Sequence, residues 1–242
     1  MNMNIKLQRF CTWSGLVAMI LFFIGLLVAT FFPPIAPSLA GDQIAAHYQA
    51  NQGRILAGSL IIIISSAFAG PFAAAVYCQL SRMEGQRPVC SMGQFAAGIA
   101  NIAFFILPGV FWAAMAFRPD RNVDALYAMH DIAWLVTMFP WTVGAMQVAC
   151  VALAVLVHGT ATSVYPRWVG FFCAWITVGM ATSSVIIFFK TGPFAWNGLV
   201  GFWIPATVFG LWFGVMWWMT LKAVNQEAAE ETAVPSGAAA TA

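Results

Sequence analysis

Long apolar runs separated by short polar stretches set the pattern of this chain. The runs are Trp13 to Phe32, Ile55 to Leu80, Met92 to Ala116, Ile132 to Val157, Val169 to Phe189 and Leu199 to Leu221. Each matches the length of about 20 residues that an α-helix needs to cross the hydrocarbon core of a bilayer. The runs are continuously apolar rather than alternating, which excludes a membrane β-barrel. The pattern predicts an all-α, polytopic integral membrane protein with six transmembrane helices and short interfacial helices on the outer side.

The polar stretches refine this picture. Ser38-Leu39-Ala40 resembles the cleavage site of a secretory leader. The first apolar core, however, exceeds the roughly 7–15 residues of a leader, so an uncleaved first span is expected. Phe32-Pro33-Pro34 should end that span, because proline cannot continue the hydrogen-bond ladder. Ser38 or Asp42 then caps a short helix to about Asn51, and His47, Asn51 and Arg54 share one face of it. Asp124 to Asp131 is expected to form a second interfacial helix. Residues 1–221 would make the transmembrane domain. Lys222 to Ala242, rich in Ala and Glu, reads as a disordered cytoplasmic tail.

An even number of spans puts both termini on one side. Six basic residues (Lys6, Arg9, Arg82, Arg87, Arg167, Lys222) fall there, against four (Arg54, Arg118, Arg121, Lys190) on the other. That bias predicts cytoplasmic termini. Odd-numbered spans exit through a Phe followed by a Pro (Phe32-Pro33, Phe117 and Pro119, Phe189 and Pro193). A hairpin repeat or chance would each explain this.

Composition agrees: 62% of residues are hydrophobic and 7% charged, against roughly 25% charged in soluble domains. A net charge of +2 gives no reason to expect nucleic acid as a partner. The five cysteines (Cys11, Cys78, Cys90, Cys150, Cys173) are scattered with no C-x-x-C pair and read as small apolar residues.

The densest polar stretch runs from Phe117 to Asp131 and holds Arg118, Asp120, Arg121, Asp124, His130 and Asp131. Asp124 and Asp131 are seven residues apart on one helical face. Beside them, a desolvated His130 is suited to general acid or base work. Surface ion pairs among these Arg and Asp residues are the structural alternative, worth about 0–1 kcal/mol each.

Prolines add a second clue. Pro108, Pro140 and Pro205 lie roughly 9–14 Å beneath the outer surface at about 1.5 Å per residue. Broken helices at such depth often line cavities, so a pocket in the outer leaflet is expected, rimmed by the polar stretch. Its walls would be aromatic: Phe111, Trp112, Trp134, Phe139, Trp141, Phe194, Trp196, Phe202, Trp203 and Trp212. The expected ligand-binding residues are His47, Asn51, Arg54, Arg118, Asp120, Arg121, Trp141, Lys190, Trp196 and Asn197. Such a pocket suits a lipid, sterol, isoprenoid or hydrocarbon.

Within the spans the strongest polar groups are Asn101 and Gln147, expected to bond each other or nearby Ser and Thr residues as helix glue. Intramembrane charges are lacking, which argues against a proton-coupled pump or ion channel. Three His are too few for a membrane di-iron enzyme, and no hydrolase, metalloprotease or nucleotide-binding motif occurs. No cofactor or metal is expected.

Phe117-Arg118-Pro119-Asp120-Arg121, together with Phe188-Phe189-Lys190-Thr191-Gly192-Pro193-Phe194-Ala195-Trp196-Asn197-Gly198, resembles a set of uncharacterised bacterial multi-pass inner-membrane proteins, from about Phe32 to Leu221. The resemblance implies a bacterial inner membrane and supplies no catalytic residue. Two functions fit the residues. One is a protein that holds or hands over a lipophilic molecule among membrane lipids, as an accessory to a protein partner or as a homo-oligomer. The other is a membrane-embedded isomerase or cyclase using Asp124, His130 and Asp131.

Overall fold

The computed structural model describes residues 3–159 and 164–233. Every regular element among them is helical. The order is α1 (Met3–Val28), α2 (Gly41–Ala50), α3 (Gln52–Glu84), α4 (Val89–Asn101), α5 (Ala103–Phe117), α6 (Val123–Met138), α7 (Trp141–His158), α8 (Arg167–Met180), a 3-10 segment (Ala181–Phe188), a π-helical turn (Leu199–Trp203) and α9 (Ile204–Ala233). Six units are long and apolar enough to cross a membrane: Met3–Val28, Gln52–Glu84, Val89–Phe117, Val123–His158, Arg167–Phe188 and Leu199–Ala233. The protein is an all-α, multi-pass membrane protein. Leu27, Leu60, Ile64, Met146, Phe171 and Trp175 stay exposed on the outer faces of the spans, where they meet hydrocarbon.

Small residues let the first two spans touch. A Cβ on Gly58 would lie 2.5 Å from the Ala29 nitrogen and the Gly25 carbonyl, and one on Gly25 would lie 2.5 Å from the Ile62 side chain. Lipid tails are as apolar as leucine, so close backbone approach is what joins helices in a bilayer. Two cores result. One joins α3, α7, α8 and α9 through Phe72, Val151, Ile176, Trp212 and Phe213. The other joins α1, α2, α5, α6 and the π turn through Phe31, Tyr48, Trp112, Trp134, Trp196 and Phe202.

Polar side chains lock the end where α1 starts and α9 finishes. Gln79 Nε2 donates to Gln8 Oε1 and Glu227 Oε2 at 2.6 Å each, and Gln79 Oε1 accepts from Arg82 at 2.7 Å. Arg82 also pairs with Glu230 at 2.7 Å. Glu84 accepts from the Cys90 and Ser91 amides at 2.9 and 2.6 Å and closes the turn into α4. A carboxylate is favoured there by the positive end of the helix dipole.

Four boundaries differ from the sequence reading. Neither Ser38 nor Asp42 caps α2: it starts after Ala40, whose N–H donates to Gln43 Oε1 at 3.1 Å, and it ends at Ala50, so Arg54 lies on α3. The first helix ends at Val28, before Pro33 is reached. Phe31 N–H bonds the Leu26 carbonyl at 2.9 Å and Thr30 N–H the Leu27 carbonyl at 3.2 Å, a Schellman turn with Thr30 at φ 63°. The Asp124 to Asp131 segment is not a separate helix: it is the first half of α6, which runs on to Met138. Lys222 to Ala233 is helical rather than disordered, because Asn225, Glu227 and Glu230 find partners on α1 and α3. Residues 234–242 lie outside the described residues.

Candidate functional site

Four spans break their helical ladder along their length. In the third, Ile102 separates α4 from α5; its N–H bonds Ile99 and its carbonyl accepts from Phe105, both three residues away. In the fourth, α6 stops at Met138 and α7 restarts after Pro140, whose missing N–H cannot serve the Val136 carbonyl. The fifth tightens at Ala181 into the 3-10 segment. The sixth opens wide: Trp203 N–H reaches the Gly198 carbonyl at 3.3 Å, five residues back. That π turn immediately precedes Pro205, and such turns are frequent at functional sites. Pro108, by contrast, sits buried inside an unbroken α5.

The four breaks and α1 line a partly open cavity of about 110 Å³. Asn101, Phe104 and Phe105 come from the third span and Thr137, Met138, Pro140, Trp141 and Gly144 from the fourth. The fifth adds Met180 and Ser183, the sixth Phe202, Pro205, Ala206 and Phe209, and α1 contributes Phe22, Phe23 and Leu26. No charged side chain lines it. Its polar groups are Asn101, Thr137 and Ser183. The Thr137 hydroxyl donates to the Ala133 carbonyl at 2.7 Å. Asn101 and Ser183 make no side-chain hydrogen bond to another described residue. The Asn101 amide lies beside Gly144, where a Cβ would sit 3.5 Å from Nδ2 and 3.7 Å from the Met180 sulfur.

The expected bond between Asn101 and Gln147 does not form. Gln147 donates to Gln94 Oε1 at 3.3 Å, and Gln94 donates to the Ala73 carbonyl at 3.1 Å. Ser65, Ser66 and Thr182 instead donate to carbonyls of their own helix turns.

Of the expected ligand-binding residues, Trp141 lines the cavity. The others lie nearer the end of the bundle opposite the start of α1, where α2, the start of α6 and the 190s loop meet. His47 is half-buried and its Nε2 lies 2.8 Å from the Thr30 hydroxyl. That hydroxyl donates to the Ala29 carbonyl, so His47 Nε2–H is the donor to it. Asn51 bonds the His47 carbonyl at 3.0 Å and Arg54 is exposed. Arg118 lies 5.9 Å above the Phe117 ring, and Arg121 contacts the Met129 sulfur at 3.6 Å. Asp120 and Lys190 are exposed and Asn197 half-buried. Trp196 is buried, with its indole N–H on the Ile35 carbonyl at 2.8 Å. Among the described residues no ion pair joins Arg118 or Arg121 to Asp120, Asp124 or Asp131. The stretch is held by other contacts: Gln49 donates to the Pro119 carbonyl at 3.2 Å, and Asn122 caps α6 by accepting from the Asp124 amide at 2.8 Å.

The three acid–base candidates do not converge. Asp124 is exposed and Asp131 half-buried. His130 is fully buried, its Nδ1 3.0 Å from the Tyr48 hydroxyl. Its Nε2 has no partner, nor do the nearby Trp112 and Trp134 indole N–H groups. Trp134 and Trp196 stack at 6.3 Å beside His130, and Trp134 packs edge-on to Phe202 at 6.4 Å. This ring layer stands between the cavity and the polar stretch, so the cavity is not rimmed by Arg118, Asp120 or Arg121.

Asn101, Ser183 and the two helix breaks without a proline carried no distinguishing signal beyond a polar residue in an apolar run. Comparison with protein-family models, with curated proteins and with solved structures finds no match to the chain.

Proposed function

We propose that this chain is a bacterial inner-membrane protein, with cytoplasmic termini, that holds or hands over a lipophilic small molecule in the cavity at the four helix breaks. The observation that carries the reading is the lining. It is apolar and aromatic, it is free of charge, and it presents the unpartnered amide of Asn101. Ligand sites combine an apolar wall with few polar groups in this way. A bound molecule fills this volume and satisfies the amide.

Acid–base catalysis by Asp124, His130 and Asp131 has less support, since none of the three touches the cavity. The orientation and inner-membrane location rest on the excess of basic residues at the terminal end and on the bacterial resemblance.

Native mass spectrometry with lipid analysis of the gently purified protein tests the reading. A stoichiometric lipophilic species is expected. It should vanish in Gly144→Leu, which extends a side chain toward Asn101 and Met180, and persist in Gly144→Ala, whose Cβ makes ordinary contacts. Bulk phospholipid alone, unchanged in Gly144→Leu, would overturn it.

A further inference from the structure

We infer that the cavity is loaded sideways from the bilayer, through a portal between α1 and α9, by an uncharged single-chain lipid. The inference rests on the cavity reading above and adds the route and the ligand class.

A second void of about 140 Å³ lies on the flank of the bundle, lined by Phe23, Phe32, Trp203, Ala206 and Thr207. Phe23 and Ala206 also line the cavity, so the two voids meet across these side chains. Trp203 and Thr207 are exposed at the mouth. Phe23 packs edge-on to Phe32 at 5.7 Å, and Phe32 to Trp203 at 5.4 Å. These rings frame a slot whose outer rim is lipid-facing surface.

Two other directions are filled. Toward the outer end, Phe202, Trp134, Trp196 and His130 form the packed ring layer. On the opposite side, Phe209 packs on Phe213 at 5.1 Å, and Phe213 stacks on Phe72 at 5.4 Å. A ligand dissolved in the bilayer reaches the slot from the flank, without crossing either packed layer.

The lining fixes the class. Neither void has a charged residue, and a charged headgroup carried into either would lose its hydration with no counter-charge. Asn101 and Ser183 offer neutral donors and acceptors, which suit a hydroxyl or carbonyl oxygen. A cavity of about 150 Å³ accommodates benzene, so about 110 Å³ takes a small uncharged head with the first carbons of one chain and not a phospholipid head with two chains.

The test uses the full chain in phosphatidylcholine vesicles with a long-chain alcohol bearing a diazirine a few carbons from its hydroxyl. After irradiation, adducts are mapped by peptide mass spectrometry. Wild type should label both at the slot, around Trp203, and in the cavity, at Phe104 or Trp141. Thr207→Trp, at the rim and outside the cavity lining, should cut cavity labelling at least tenfold while slot labelling persists, and Trp203→Ala should speed cavity labelling. A diazirine fatty acid held as its carboxylate should label the slot alone.

Cavity labelling equal to wild type in a folded Thr207→Trp would overturn the portal and leave the cavity reading standing. If that variant does not fold, Thr207→Phe at the same exposed rim replaces it under the same criterion. Equal cavity labelling by the carboxylate would overturn the uncharged class. No cavity labelling in wild type or in Trp203→Ala would sink the cavity reading itself.

Discussion

Asn101 and Gln147 carry the same amide chemistry into the membrane and end in different roles. Gln147 ties α7 to α4 through Gln94, and Asn101 faces the cavity with no side-chain partner. Their substitutions should separate. Gln147→Leu leaves Gln94 Oε1 without its donor and should cost about 0.6–1.7 kcal/mol, read as a lower Tm in detergent. Asn101→Leu should hold or raise Tm and abolish ligand retention. Equal losses of Tm in both would count against the distinction. His47 gives a pH dependence. Burial, and then the charge of Arg54, hold its pKa below the ordinary 6.5. The folded state thus resists a proton that the unfolded state accepts from 6.5 downward. Stability is fully present above pH 6.5 and falls as the pH drops toward the lowered folded value. Tm measured between pH 7 and 5 should decline less steeply in His47→Gln than in wild type; parallel slopes would exclude His47 as a contributor.

At the scale of elements, α1 and α3 depend on backbone contact that no larger residue permits. Gly58→Val places atoms where Ala29 N and the Gly25 carbonyl already lie, so the helices must part. Overpacking typically costs 1–3 kcal/mol when side chains can move. Here the obstacle is backbone, and a loss of several kcal/mol is expected, seen as poor recovery of folded protein by size-exclusion chromatography. Normal recovery and unchanged Tm would show that the pair tolerates separation. The breaks in the other spans are of two kinds. Pro140 and Pro205 mark theirs by the absent N–H. The break at Ile102 and the tightening at Ala181 have no such punctuation, and Pro108 causes none because the rest of α5 keeps its helical bonds. Proline positions thus found half of the cavity's framework.

For the whole molecule, six spans require that Ser81 and Lys190 lie on opposite sides of the membrane. Reporter fusions after these residues should give inside and outside signals respectively, and the same side for both would end the six-span arrangement. The Gln8–Gln79–Glu227 network draws α1, α3 and α9 together at the terminal end. Gln79→Leu should therefore cost about 1–3 kcal/mol by orphaning buried partners, whereas Glu230→Gln at the exposed pair should cost at most about 1 kcal/mol. Thermal unfolding of the two variants side by side checks the order.

The sequence by itself determined that this is a six-span helical membrane protein. A bilayer makes every backbone group bond within its own segment, so a span is announced by length and apolarity alone, a property read one residue after another. It also placed Trp141, Pro140 and Pro205 near a pocket. Only the tertiary structure decided which polar groups meet. Gln94 answers Gln147 from 53 residues away, and Tyr48 answers His130 from 82. A packed layer of rings separates the cavity from the polar stretch that the sequence reading had placed at its rim. Those outcomes depend on which helix faces which neighbour, and helix rotation in a bilayer is set by small residues and close contacts that composition and periodicity do not encode.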